Sequence, residues 1–460
     1  MEIPQTKNKR AETTKGYEHY KDSGVEWLGE IPVHWKVLSF RYIIYVLTDF
    51  TANGSFGDLA KNVEYLDFKN YSRLIRLTDL RKDLKNDGIY LSEKSHNFLS
   101  KSELQGGELL MANVGAYAGL AWIMPYLKER ASLGPNMFLI KLIDDCSIKY
   151  FELLINSLSY KYYIQEVAKS SAQPKLNKDN IRQLRILFPP RKEQTAIAQF
   201  LYEKTEKIDA AVALKEQQIK LLQERKQILI HKAVTRGLDD SVAFKDSSVE
   251  WIGAIPEHWD ITAVKYLLEI PITDGPHTTP DLLDEGIPFI SAEAIKNGEI
   301  DFNKKRGFIS EKDHQIFSLK YLPKRNDIYM VKSGATTGNI AMVKTDEEFS
   351  IWSPLAVFRS NLKRIIPKYL YNYLESPSFK KGVELSWSFG TQQNIGMGVL
   401  SNLPISYPPI SEQREISEYI ETASQKIETA ISLKQQEIEK LKEYKSSLIN
   451  SVVTGKVKVF

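Results

Sequence analysis

The residues that could do chemistry in this 460-residue sequence fall into a few clusters, and each has the wrong spacing for catalysis. A loop that presents an adenine amine for methyl transfer needs Asn, Asp or Ser before a Pro-Pro pair and an aromatic residue after it. The two pairs here read Phe188-Pro189-Pro190-Arg191 and Tyr407-Pro408-Pro409-Ile410, with neither group in place. They suit the end of a strand and the start of a helix instead. Gly396-Met397-Gly398 lacks the third glycine and the strand-to-helix setting of a dinucleotide fingerprint, and no Walker lysine follows a glycine loop. Pro280-Asp281 with Glu293-Ala294-Ile295-Lys296 echoes a nuclease carboxylate set, but its closing spacing is one residue too long and it occurs only once. Seven histidines are scattered and Cys146 is the single cysteine, so no zinc constellation and no intramolecular disulfide is expected. The sequence predicts no catalytic, cofactor or metal site in this chain.

What must be positioned is therefore a binding surface, and a duplication organises the elements that carry it. At an offset of 219 residues, Pro189–Arg236 lies on Pro408–Gly455 without a gap, with 19 of 48 positions identical. A fixed-offset repeat of this length means two copies of one structural unit. Within it, the helix candidates Glu193–Thr235 and Glu412–Thr454 carry apolar residues at alternating steps of four and three. The first has Ile208, Val212, Ile219, Leu222, Leu229 and Ala233, and the second Ile427, Ile431, Ile438, Leu441, Leu448 and Val452. That spacing is a coiled-coil seam. Lys215 and Lys226 interrupt the first copy where Lys434 and Lys445 interrupt the second, and polar seam residues set register and partner choice. Amphipathic helices on an ordinary globular core, with lysines reaching outward, are the alternative.

A helix of ~40 residues is ~60 Å long, whereas the intervening ~170 residues should be ~40 to 50 Å across. The intervening block would therefore return the chain to the end where helix 1 stops, and helix 2 would run back antiparallel. The expected fold is α+β: two duplicated mixed α/β domains separated by two long helices, a pseudo-twofold dumbbell. The expected boundaries are a tail at 1–19, domains at 20–190 and 238–409, and spacer helices at 191–237 and 410–460.

Each domain opens on a shared motif. Tyr20–Val37 recurs as Phe244–Ile261 with 11 of 18 positions identical, and four of the seven tryptophans sit there. Trp27, Pro32 and Trp35, with Trp251, Pro256 and Trp259, read as an aromatic staple pinning the chain to its own domain. The same reading puts the first motif beside the end of helix 2. Between the motifs and the helices the blocks 38–188 and 262–407 diverge, but landmarks survive: Leu91-Ser92-Glu93-Lys94 against Ile309-Ser310-Glu311-Lys312, and Gly115 and Gly119 against Gly334 and Gly338. Strand-like runs at Phe138–Leu142 and Leu355–Arg359, with helix candidates Ile148–Leu158 and Pro367–Leu374, predict mixed α and β blocks.

The sequence has a net charge of +4, and residues 191–237 alone, with ten Lys/Arg against six Asp/Glu, account for all of it. A nucleic-acid binder of this charge would use a few placed groups and share phosphate contacts with a partner. One cysteine, no signal peptide and no run near ~20 apolar residues are the pattern of a cytoplasmic chain without a membrane span.

The paired EWxGxIPxHW motifs, the paired glycine loops, the exits Ser171-Ala172-Gln173-Pro174 and Gly390-Thr391-Gln392-Gln393, and the PPxxEQ-plus-long-helix repeats resemble the specificity subunits of type I restriction-modification enzymes. The resemblance covers nearly the whole chain after residue 20. It implies two target recognition domains, each reading one half of a bipartite double-stranded DNA sequence, and helices that hold the halves apart and bind two methyltransferase subunits. Two restriction/translocase subunits would complete the complex. S-adenosylmethionine would belong to the methyltransferase partner, ATP and Mg to the restriction partner, and none to this chain. Loops rich in Arg, Lys, Asn, Gln, Ser and Thr can reach base edges, and in protein–DNA contacts generally Arg to guanine and Asn or Gln to adenine are the commonest pairings. Candidate readers are Arg73, Arg76, Asn113, Tyr117 and Gln173 in the first block, and His277, Thr278, Thr279, Lys332, Ser333, Thr336, Thr337, Gln392 and Asn394 in the second. The four loop glycines are expected to serve backbone shape. Because the first exit reads Ala172-Gln173-Pro174 and the second Thr391-Gln392-Gln393, the resemblance does not imply one shared base-reading role for that loop. A coiled-coil scaffold whose duplicated domains bind protein or another ligand is the second function class, and neighbouring genes for a methyltransferase and an ATP-driven nuclease would separate the two.

Overall fold

The computed structural model of the protein describes residues 16–168, 174–386 and 394–460. It divides into two compact units, one of Met1–Leu214 with Gln436–Phe460 and one of Lys215–Gln435. Two long helices, α1 (Arg191–Arg236) and α2 (Ile410–Val453), each contribute one stretch to either unit. Both begin directly after the Pro-Pro pairs, where a ring locked near helical φ opens a helix without losing a needed N–H.

In the first unit, a four-stranded antiparallel sheet runs in the order Ile44–Asp49, Met137–Leu142, Leu109–Ala112, Ala121–Ile123. A second four-stranded sheet holds Ile89–Leu91, Ser72–Ile75, Arg130–Leu133 and Glu103–Leu104, with a parallel pair at its centre. The second unit repeats the plan: Thr273–Asp274, Leu355–Phe358, Ile328–Val331 and Ile340–Met342 form one sheet, and Gly307–Ile309, Ile287–Ile290 and Ser350–Ile351 the other, again with a parallel pair. Strands such as Leu109–Ala112 and Leu355–Phe358 are buried at every position, which is why they read as unbroken apolar runs rather than alternating ones.

The expected helix Ile148–Leu158 is two helices, Ile148–Ile155 and Leu158–Ala168. The break lies at Asn156 and Ser157. The Asn156 amide ties this point to the strand through both the N–H and the C=O of Ala121, and the Ser157 hydroxyl donates to Leu154 O at 2.7 Å, where it competes with the helix ladder. In the second unit Pro367–Glu375 is followed by Pro377–Leu385, with Ser376 in the place of Ser157.

Inside the first unit, Ile197, Leu201 and Ile208 near the start of α1 share a core with Leu448, Val452 and Val453 at the end of α2. Inside the second, Ile230, Ala233 and Val234 near the end of α1 share a core with Ile416 and Ile420 near the start of α2. The two helices are thus antiparallel within each unit. Every seam residue named above is buried or half-buried, and Ala233 and Val452 near the helix ends are the most enclosed of the aliphatic ones, followed by Ile438, Leu448, Ile427 and Ile208. Two seam lysines make ion pairs across the helices: Lys445 Nζ lies 2.6 Å from an Asp209 oxygen, and Lys226 Nζ lies 2.7 Å from Glu428 Oε1.

The opening motifs dock on the first turns of the helices. Trp35 and Trp259 are fully buried, and their indole N–H groups donate to Glu193 (2.8 Å) and Glu412 (3.1 Å). His34 and His258 meet the other oxygen of the same carboxylates. The neighbouring glutamines are completely enclosed. Gln194 bonds Ser147 N and Pro189 O, while Gln413 bonds Ile366 N, Arg364 O and Pro408 O. These contacts explain the Glu-Gln pair of each repeat: it satisfies groups that burial would otherwise leave unpaired.

Within the first unit the first motif lies beside the end of α2, as expected. Tyr20 OH donates to Gly455 O at 3.2 Å, and Tyr150 OH donates to Val453 O. The matching bond in the second unit runs from Tyr369 OH to Val234 O. Tyr17, inside the stretch expected as a tail, is buried against Trp35 and Phe460 because its ring completes this core.

Candidate nucleic-acid interface

In each unit a central strand feeds a glycine loop of fixed shape. After Leu109–Ala112, Gly115 and Gly119 have φ of 82° and 91°; after Ile328–Val331, Gly334 and Gly338 have 108° and 91°. These left-handed values favour glycine. Gly119 N–H bonds Ala112 O and Gly338 N–H bonds Val331 O, both at 2.8 Å, closing the two loops in the same way.

The chain returning from the exit segment is tied to the start of that loop. Leu176 N bonds Asn113 O (2.8 Å) and Val114 bridges Lys175; Ile395 N bonds Lys332 O (2.7 Å) and Ser333 bridges Asn394. Gln173 and Gln392, with the rest of both exit tetrapeptides except Pro174, lie outside the described residues. Two stretches that sequence reading kept apart are thus one composite edge in each unit.

Onto this edge the first unit places Asn113 and Tyr117. Arg81, which sequence reading missed, stacks its guanidinium 4.2 Å above the Tyr117 ring. Its signal was the basic turn Arg81-Lys82-Asp83-Leu84-Lys85, where Asp83 and Leu84 have positive φ. Asn113 Oδ1 is buried without a hydrogen-bond partner at the rim of an open cleft of about 890 Å³. Phe56 and Tyr65 line one part of this cleft and Lys175, Lys178 and Arg182 another.

Arg73 and Arg76 do not reach this edge. Arg73 is 7% exposed, with its guanidinium bonded to Leu84 O and Asn86 O, where it holds the basic turn. Arg76 forms a two-pronged bond to the buried Asp79 at 2.9 Å on each arm. Burial alone would raise the Asp79 carboxyl, but the bonds from Arg76 and Asn86 outweigh it and hold the group below the usual carboxylate range.

In the second unit, Thr336 and Asn394 are exposed, Ser333 is half-buried, and the Thr337 hydroxyl is turned inward to Gly334 O at 2.6 Å. His277, Thr278 and Thr279 are exposed on the loop that follows Asp274. Lys332 points inward, with Nζ 2.9 Å from Asp274 Oδ2. Among the described residues, no group of three or more His, Cys, Asp or Glu could hold a metal ion, and no helix is long and apolar enough to cross a membrane.

Each unit pairs an antiparallel sheet with a mixed one, presents a loop edge and is followed by a long helix, the plan of a duplicated recognition module. The model of the type I restriction modification DNA specificity domain matches residues 81–224 and 256–443, and this chain belongs to that family. It is similar to the putative type I restriction enzyme MjaX specificity subunit of Methanocaldococcus jannaschii, with 24% identity over 94% of this chain and 96% of the relative. It is also similar to the EcoBI specificity subunit of Escherichia coli, with 26% identity over 81% and 77%. Among solved structures, a chain from work on complex assembly and conformational transition of the type I R-M system matches with a TM-score of 0.66 at 15% identity, covering 92% of this chain and 98% of that one. The HsdS subunit from Thermoanaerobacter tengcongensis matches with 0.52 at 15% identity, covering 93% and 98%. These two likenesses bear on the fold.

Proposed function

We propose that this chain reads a bipartite sequence in double-stranded DNA, one recognition domain per half-site, and directs the adenine methyltransferase and restriction subunits of a type I complex to it. The observation that carries the reading is the composite edge. Its backbone is held by equivalent hydrogen bonds at the repeat offset in both units, while its side chains differ, Asn113-Val114 against Lys332-Ser333. A constant scaffold with changed side chains is what two readers of different half-sites require.

On this reading Asn113, Tyr117 with Arg81, His277, Thr278, Thr279, Ser333, Thr336 and Asn394 reach the DNA together with Gln173 and Gln392, and Arg73, Arg76, Lys332 and Thr337 hold their loops. The domains are 20–190, to which the packed Tyr17 is added, and 238–409, with spacers at 191–237 and 410–460. Two methyltransferase subunits supply S-adenosylmethionine chemistry, and two restriction subunits use ATP and Mg, in the cytoplasm. Exchanging residues 38–188 for the matching block of a relative should change one half of the methylated sequence in the cell and leave the other. A change in both halves would overturn the assignment of one reader per domain. The purified chain alone should turn over no S-adenosylmethionine.

A further inference from the structure

In the second unit one buried carboxylate organises three nitrogen bases. Asp274 is fully enclosed; Lys320 Nζ meets its Oδ1 at 2.5 Å, while Lys332 Nζ and His277 Nε2 stand 2.9 and 3.2 Å from Oδ2. A single carboxylate would neutralise one lysine, so the cluster keeps one positive charge, and two when His277 is protonated. Burial would raise the Asp274 carboxyl, but the lysines outweigh it and hold the group below its usual range, so it stays ionised at neutral pH.

The excess charge faces outward. Lys320 has three N–H donors and uses two of them, on Asp274 Oδ1 and Gly275 O, while its side chain remains half exposed. His277 turns Nε2 toward Asp274, which leaves Nδ1 for another partner, and its side chain is 71% exposed. The exposed Thr278 adds a hydroxyl. Asp274, Gly275, His277, Thr278 and Lys320 together line one cavity of about 310 Å³. Gly275 is required for this fit, because a Cβ there would run into the backbone of Ile351 and Trp352. No counterpart of Gly275-Pro276-His277-Thr278 exists in the first block.

We propose that this cluster is a phosphate clamp for the DNA backbone, specific to the second half-site, in which Lys320, His277 and Thr278 contact one phosphate and Asp274 is the positioning residue that presets them. The inference rests on the reading above that this domain binds DNA. It separates three donors that carry no base preference from the neighbouring residues that read sequence.

The test uses the full chain assembled with its methyltransferase partner, on duplexes with and without the sequence methylated in the source cells, over a range of salt. Lys320→Gln, at a half-exposed site that should fold normally, is expected to weaken binding to both duplexes by about tenfold. It should also lower the slope of log affinity against log salt by roughly 0.9, the value for one phosphate. Asp274→Asn is expected to weaken binding although it removes a negative charge, whereas simple charge balance predicts tighter binding. Selective binding by the parent complex with an unchanged slope in Lys320→Gln, or tighter binding by Asp274→Asn, overturns the clamp alone. A thermal shift with millimolar inorganic phosphate, together with an unchanged DNA slope, would assign the cluster to a free anion and likewise overturn it. Absence of any selective binding by the parent complex would overturn the DNA reading along with the clamp.

Discussion

Two buried polar residues set the terms for stability at the level of single side chains. Gln413 is fully enclosed and serves Ile366 N–H and the carbonyls of Arg364 and Pro408. Gln413→Ala would strand all three, and a loss of roughly 2 to 4 kcal/mol is expected, read as a lower urea midpoint of the second unit. Asp79 behaves differently because it is charged. Its folded-state carboxyl titrates below the ordinary aspartate value of about 3.9, held there by Arg76 and Asn86 against the opposing effect of burial. Its contribution is therefore complete above that value and is lost as the pH falls through the lower folded-state value. Asp79→Asn should be less stable than the parent at neutral pH and should lose less stability on acidification below about pH 4. Urea titrations at a series of pH values would check both points, and an acid profile parallel to the parent's would contradict the assignment.

At the level of elements, the long helices were the most legible part of the sequence. Their four-three spacing fixes one face, and all the residues it selects are buried or half-buried. Two of the four lysine interruptions, Lys445 and Lys226, pair with Asp209 and Glu428 on the facing helix, which periodicity within one helix cannot identify. The Lys226–Glu428 pair is solvent-accessible, so a double-mutant cycle should give a coupling below ~1 kcal/mol, and Lys226→Leu should be neutral or stabilising. A coupling several times larger would show that the pair locks the seam. The composite edge was only half legible. Glycines at matched positions pointed to Gly115, Gly119, Gly334 and Gly338, and all four have positive φ. Composition could not tell Arg73, a strand residue that braces the basic turn, from Arg81 on that turn, which covers Tyr117, because only the fold decides which of these arginines is buried and which way each points. Asp274 was not singled out for a related reason: its partners His277, Lys320 and Lys332 are spread over more than forty positions and come together on it only in the fold.

For the whole molecule, the helices are expected to act as a ruler between half-sites. Adding one heptad to each, after Leu214 and after Leu433, keeps the seam in phase and adds ~10 Å, about three base pairs of duplex. Selection from a library with randomised spacers should return weaker binders whose preferred spacer is two to four base pairs longer, since three base pairs also rotate the duplex by roughly 100°. An unchanged spacer in a folded, partner-bound variant would remove the helices from that role. The contact of Tyr17, Tyr20 and Tyr150 with residues 453–460 has a further consequence, for synthesis on the ribosome. Of the two units, the one whose translation starts earlier takes Leu448, Val452 and Val453 into its core, so it is completed after the other. A message cut short before those codons would yield a chain whose leading domain keeps an open apolar seam, a mark by which cellular proteases can tell an incomplete product from a whole one.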